Sequence, residues 1–235
     1  MAGNGVAVTR QVPFSAELRS LTREDHEGVE EALDLPWRLQ NRSDLAAVLQ
    51  VWSGMWSDVR SGCGRAGRDE SARLLIASVR AVRQIAGDLD DLAVAGAGRS
   101  VTQRRGEPVL APLLDTPAGV WAVGYVLRGS RVGGTVLAPL IAERLRLPDG
   151  MAGAYFGDAD AGRAWVAFRR RLDSWGRVAG TSAREQAVRL AHEVFGRVGE
   201  QLAAALPAPT PEDAYPGDGP GDGPGDGGSG QGSTR

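Results

Sequence analysis

Val123-Gly124-Tyr125-Val126-Leu127-Arg128-Gly129-Ser130-Arg131-Val132-Gly133-Gly134-Thr135-Val136-Leu137 is the stretch on which the reading of this chain turns. It lies in a largely apolar run with no proline between Pro117 and Pro139. Such length and Leu/Val content predict a buried helix. Yet Gly129, Gly133 and Gly134 fall in its middle, and each glycine costs a helix interior roughly 0.5–1 kcal/mol relative to alanine. Gly129 and Gly133 share a face one turn apart, with Gly134 beside them. A helix that keeps such a cost is using the absent side chains, so that something flat or bulky can approach its backbone. That body is either another helix or a ligand.

The rest of the chain narrows the choice. Its 235 residues suffice for one large domain or two small ones, and 42% hydrophobic content is ordinary for a globular core. A net charge of −2 offers no electrostatic footprint for nucleic acid or for an acidic membrane surface. The single cysteine, Cys63, excludes an intramolecular disulfide. No N-terminal run is apolar enough for a signal peptide or a membrane span, so a cytoplasmic protein is expected. Lysine is absent, which leaves any carboxylate-binding role mainly to arginine.

Working outward from the glycine stretch, three-and-four spacing predicts helices on both sides. The first runs over 15–33, with Leu18, Thr22, His26, Val29 and Leu33 on one face, and Pro36 just beyond its end. A second, capped by Asn41 or Ser43, carries Leu45, Val48, Leu49, Trp52, Met55, Trp56 and Val59, and ends at Gly62 and Gly64. A third covers 70–92 with Leu75, Val79, Val82, Ile85 and Leu89 as its stripe, and a Gly/Arg/Pro-rich loop follows over 94–112. The glycine-bearing helix is expected over 118–145, kinked at the glycines, bent at Pro139 and stopped before Pro148. Two more are expected over 159–178 and 182–206. No period-2 alternation stands out, so the fold class is all-α, a single-domain helical bundle over 14–206. Residues 1–13 read as an irregular N-terminus. Residues 207–235, with Pro-Gly-Asp-Gly repeated three times over 216–227, read as a disordered tail unable to bury apolar surface.

Few residues offer chemistry. With two histidines, His26 and His192, and one cysteine, a structural zinc site is not expected. Cys63 sits in Ser-Gly-Cys-Gly, which reads as a flexible stretch with no histidine near in sequence. Gly62-x-Gly64-x-x-Gly67 fits the dinucleotide pattern only formally, because it follows a helix rather than a strand. No P-loop is possible without lysine. His192 lies at the flank of the last stripe and reads as a surface or hydrogen-bond-satisfied residue. His26 differs, because Glu30 stands one turn on and can hold one ring nitrogen while the other stays basic. It is either a core histidine paired with a carboxylate or a metal ligand. One imidazole from one side and a bare helix backbone on the other would describe a haem sandwich.

These two segments resemble those of the heme oxygenases. Leu18-Arg19-x-x-Thr22-x-x-x-His26-x-x-x-Glu30 is similar to the proximal helix of that family, and Tyr125-Val126-Leu127-Arg128-Gly129-Ser130-Arg131-Val132-Gly133-Gly134 to its distal helix. The nearest form is the bacterial, bacteriophytochrome-linked type, in which the residue at position 128 is Glu. The resemblance implies a fold in which haem lies between the N-terminal proximal helix and the glycine-bearing distal helix. It implies His26 as axial iron ligand, Glu30 as its support, and Arg19, Thr22, Tyr125 and one of Arg169, Arg170 and Arg171, by helical register Arg170, around the propionate side. Gly129, Ser130, Gly133 and Gly134 become the distal wall. Ser130 stands where many members carry Asp.

The activity so implied is oxidative cleavage of haem, at once substrate and cofactor, to biliverdin, carbon monoxide and ferrous iron. It would use O2 and electrons from an external reductase or ferredoxin. A bacteriophytochrome would be one acceptor of the biliverdin, with no nucleic acid or membrane partner. The rival readings are a haem carrier or sensor of the same fold, and a thiaminase-like helical protein that uses no haem.

Overall fold

The expected first helix is two. In the computed structural model, which describes residues 12–63, 69–95 and 108–206, α1 (Phe14–Leu21) and α2 (Arg23–Leu33) meet at Thr22. There the backbone leaves helical geometry (φ −104°, ψ 14°), and the Thr22 hydroxyl donates to Leu18 O at 2.9 Å. A threonine hydroxyl that turns back onto its own helix loosens the regular ladder. The helix α3 (Arg42–Cys63) is capped by Asn41, whose Oδ1 accepts from Ser43 N (2.8 Å) and Asp44 N (3.1 Å). Asp44 returns the favour by accepting from Asn41 N, a reciprocal box that satisfies otherwise orphaned donors. All seven residues expected on the α3 stripe are buried.

The helix α4 (Asp69–Val94) is rotated from expectation. Its core face is Leu74, Ser78, Ala81, Ile85, Asp88 and Leu92, whereas Val79 is exposed. The apolar pattern misleads here because two core positions are polar. Asp88 is buried because it accepts from Ala154 N and Tyr155 N, both at 2.8 Å, and so pins the segment 145–160 to α4. Part of the expected 94–112 loop, residues 108–110, leads into a 3-10 turn over Ala111–Asp115, while 96–107 lie outside the described residues.

Pro117 then opens α5 (Pro117–Arg144), with Thr116 as cap accepting from Gly119 N at 3.1 Å. This helix is continuous. Neither the glycines nor Pro139 interrupts it, and it ends before Pro148 as expected. Next come α6 (Ala161–Val178) and α7 (Thr181–Ala205). Residues 1–11 and 207–235, which hold most of the expected irregular N-terminus and the whole of the tail, lie outside the described residues.

The bundle is read from its contacts. Trp121 meets Trp175 while Tyr125 meets Trp165, so α5 and α6 are antiparallel. Phe14 packs on Trp175 and Arg169 reaches Ser15, so α1 also runs against α6. Glu17–Arg184, Asp25–His192 and His26–Phe195 climb together, so α7 runs parallel to α1 and α2. It follows that α2 and α5 run in the same sense. Among the described residues no helix is long and apolar enough to cross a membrane.

Candidate functional site

On α5, positions 125, 129, 133, 136 and 140 fall on one stripe. Tyr125 is buried at one end of it, and Val136 and Leu140 are 67% and 41% exposed at the other. A Cβ built on Gly133 would meet no atom within 4 Å, and one on Gly129 would only touch the Trp165 ring at 3.7 Å. Elsewhere on α5 the glycines are filled from outside. A Cβ on Gly124 would lie 3.0 Å from Phe168, and one on Gly134 would lie 2.9 Å from Phe156. Gly134 is therefore required by packing against Phe156. Openness by itself is common in this chain, since Gly28, Gly54 and Gly87 are equally free. What distinguishes Gly129 and Gly133 is the stripe they share with Tyr125.

At its Tyr125 end that stripe meets the junction of α1 and α2. The Tyr125 hydroxyl interacts with Thr22, at the junction of α1 and α2, and Arg19 and Arg169 are close enough to act on it electrostatically. Burial pushes the Tyr125 hydroxyl above its ordinary pKa of 10.0, against the opposing pull of Thr22 and the two arginines. Both helices leave this contact in the same direction. One turn on, α2 presents His26, and one and two turns on, α5 presents Gly129 and Gly133. At the far end Arg144 closes the frame, donating to Leu39 O (3.4 Å) and Trp37 O (3.3 Å) of the turn that follows α2. The α1–α2 junction thus meets α5 at Tyr125, with two cations beside it, and the turn after α2 meets α5 again at Arg144; the space between α2 and α5 from one tie to the other is the candidate cleft.

His26 is not the buried residue that an apolar-face position suggests. Its side chain is 54% exposed. Nδ1 stands 3.3 Å from Glu30 Oε2, and the ring meets the Phe195 ring at 5.9 Å, edge to face. Nε2 has no partner among the described residues. No three His, Cys, Asp or Glu side chains cluster as a metal site there either. A metal held by His26 would thus have to bring its other ligands with it, as the iron of a porphyrin does.

Two solved structures share this architecture. A heme oxygenase from Leptospira interrogans matches with a TM-score of 0.63 at 18% identity, over 82% of this chain and 100% of that one. Heme oxygenase 2 from Chlamydomonas reinhardtii, solved without heme, matches with a TM-score of 0.68 at 18% identity, over 84% of this chain and 99% of that one. The chain has the heme oxygenase fold. At such identity the likeness is one of fold alone. No family model and no curated protein matches the sequence.

Within the heme oxygenase fold, several expected site residues are placed differently from expectation. Arg170 is exposed and its guanidinium has no partner among the described residues, whereas Arg169 is the arginine that joins Ser15 and Tyr125. The reason is register. Arg169 follows Trp165 by four positions and so shares its face. Trp165 packs at a tilt against the Tyr125 ring, so its position could have selected Arg169 from the sequence. Arg171 is engaged instead with Glu70, donating to both carboxylate oxygens at 2.7 and 3.1 Å. Ser130 donates its hydroxyl to Leu127 O at 3.0 Å, within its own helix.

Arg128, where the resembling bacterial type has Glu, points away from the cleft. It donates to Arg73 O (3.1 Å), lies 3.8 Å from Glu70 Oε1 and sits over the Phe168 ring. Burial lowers its pKa below the ordinary arginine range, with Glu70 opposing. One turn on, Arg131 is buried between Asp158, at 2.5 Å, and Gln84, at 2.7 Å. Sequence reading did not anticipate this polar seam of Glu70, Arg128, Arg131 and Asp158. Nor is Cys63 in a flexible stretch. It ends α3, buried, and loss of solvent pushes its thiol up to about 11, which makes a reactive thiolate unfavourable. Gly62, first glycine of the formal dinucleotide pattern, lies inside α3 against Leu114. Gly64 and Gly67 lie outside the described residues.

Proposed function

We propose that the protein binds haem in the α2–α5 cleft and cleaves it oxidatively to biliverdin, carbon monoxide and ferrous iron. The observation that carries this reading is a half-exposed imidazole, its Nε2 without a partner among the described residues, together with a side-chain-less α5 face on which Gly133 meets no described atom and Gly129 only the Trp165 ring. Haem, as substrate, supplies the iron that binds O2 and the meso carbon that is oxidised. His26 Nε2 ligates the iron, and Glu30 orients the ring through Nδ1. Arg19 and Arg169 face the propionates, where guanidinium–carboxylate pairs fix the in-plane orientation. Tyr125 and Thr22 mark that end of the cleft.

Gly129 and Gly133 let the macrocycle approach the α5 backbone. Beyond Tyr125 the stripe carries no ionisable side chain, and Ser130 is occupied by its own helix. Proton delivery on that side therefore falls to water held along the backbone. Electrons come from an external reductase or ferredoxin, because the chain has no credible flavin or nicotinamide motif. A bacteriophytochrome is a suitable acceptor of the biliverdin. Arg128 lies on the far side of α5 and does not argue for a carrier.

Hemin added to the purified protein is expected to give a sharp Soret band that His26→Ala shifts and weakens. Reductant and O2 should then convert that spectrum to biliverdin. No Soret change on adding hemin would overturn the haem reading. A stable spectrum under reductant and O2 would leave a haem carrier of this fold.

A further inference from the structure

Little of α2 enters the core. Leu33, at its last position, is the one buried residue of this helix, Val29 is partly buried against the core, and at Thr22 the helix departs from regular geometry between α1 and α2. The contacts that fix its rotation come from one stripe of α7. His192 Nδ1 meets Asp25 Oδ2 at 2.7 Å, Phe195 presents its ring to His26, and a Cβ on Gly199 would lie 3.2 Å from Val29 Cγ2. Positions 192, 195 and 199 are spaced by three and four, a single face. Asp25 and His192 are each partly buried, at 30% and 41% side-chain exposure, so water screens their hydrogen bond only in part.

We infer that His192 is a positioning residue, which through Asp25 sets the rotation of α2 and so the direction in which His26 presents Nε2. This inference rests on the reading of His26 as the haem ligand. A hydrogen bond at residue 25 acts as a stop, because rotating α2 by one residue's worth of azimuth, about 100°, would carry His26 off the cleft altogether. Phe195, on the same stripe of α7, packs against the imidazole but, as an apolar ring contact, does not fix an angle. Directed bonding at 192 is therefore what the geometry requires. Leucine there keeps bulk and removes the bond, whereas asparagine restores an N–H close to where Nδ1 carries one.

The test titrates hemin into the full chain and records ferric electron paramagnetic resonance. Relative to wild type, His192→Leu should weaken hemin binding about tenfold and replace one axial-ligand signal by a mixture. His192→Asn should restore a single signal and most of the affinity. Thermal melts of the hemin-free proteins separate this effect from simple unfolding. A single, unchanged signal with unchanged affinity in His192→Leu would overturn the positioning role, as would equal loss in the Leu and Asn variants. Failure of the underlying reading looks different, since His26→Ala would then leave the wild-type hemin spectrum intact.

Discussion

Gly133 and Gly134 are neighbours on α5, and they differ in what stands over them. Phe156 covers Gly134 so closely that a methyl group would collide with it, and nothing among the described residues covers Gly133. The same division runs along the helix. Gly124, Arg128, Arg131 and Gly134 point into aromatic rings and carboxylates supplied by α4, α6 and the segment between α5 and α6. Tyr125, Gly129, Gly133, Val136 and Leu140 form the other stripe, and past Tyr125 its two glycines meet nothing among the described residues closer than the Trp165 ring at 3.7 Å. One face is explained by the fold and the other is not. A residue type that costs helix stability and gains no packing contact in return is where function is to be sought.

The core face should break hardest. Asp158→Ala leaves Arg131, 8% exposed, without its carboxylate, and takes a partner from Arg80 as well. Stranding a buried charge in this way is expected to cost about 3–5 kcal/mol, read by urea denaturation. A loss below about 1 kcal/mol would mean that Arg131 finds water instead, and the core-face account would weaken. The second probe on this side is pH. Cys63 lies near Arg128, which pulls its thiol down, but burial dominates and raises it from 9.0 to about 11. The folded chain then holds this proton more tightly than the unfolded one. Its contribution is fully present below pH 9 and is lost as pH rises to about 11, a decline of about 2–3 kcal/mol. Cys63→Ala should flatten that slope, while the raised tyrosines act alike in both proteins. Parallel stability curves for the two proteins would contradict it.

The division also marks what could be read from the sequence. Strong apolar periodicity gave reliable elements, as on α3, where every stripe residue is buried. It failed on α4 because Ser78 and Asp88 occupy core positions, and no local pattern reveals that Ala154 and Tyr155, more than 60 positions away, will donate to Asp88. The cleft-facing side was more legible than the core-facing one. Tyr125, Thr22 and Arg19 do come together, and His26 stands next along α2. These residues sit at helical spacings within two short segments, which a sequence displays directly. Of the three consecutive arginines 169–171, it is Arg169 rather than the favoured Arg170 that lies beside Tyr125, because the choice among them depends on the helix register. Gly134 was grouped with Gly133 because two adjacent glycines look alike until the neighbouring ring is placed. The polar seam behind α5 was invisible, since it joins α4, α5, α6 and the 145–160 segment.

The sharpest test of the comparison uses the smallest substitution at adjacent positions. Gly134→Ala should cost about 1–2 kcal/mol, because Phe156 would be met not only at its ring but also at its backbone, both Cα and O lying at 3.4 Å. Gly133→Ala should instead stabilise the hemin-free protein by about 0.5–1 kcal/mol, since alanine is the better helix former and its methyl group enters open space. The two changes should then part company once hemin is added. Folded Gly134→Ala keeps the cleft face intact and should bind hemin close to wild type. Gly133→Ala places a methyl group on the stripe where the macrocycle is proposed to lie, so its affinity should fall although its fold has gained stability. Opposite signs for stability and binding at one position cannot come from a general loosening of the helix. If Gly133→Ala gained stability and bound hemin as tightly as wild type, the bare face of α5 would be surplus glycine in a glycine-rich chain, and the cleft would lose its distal wall.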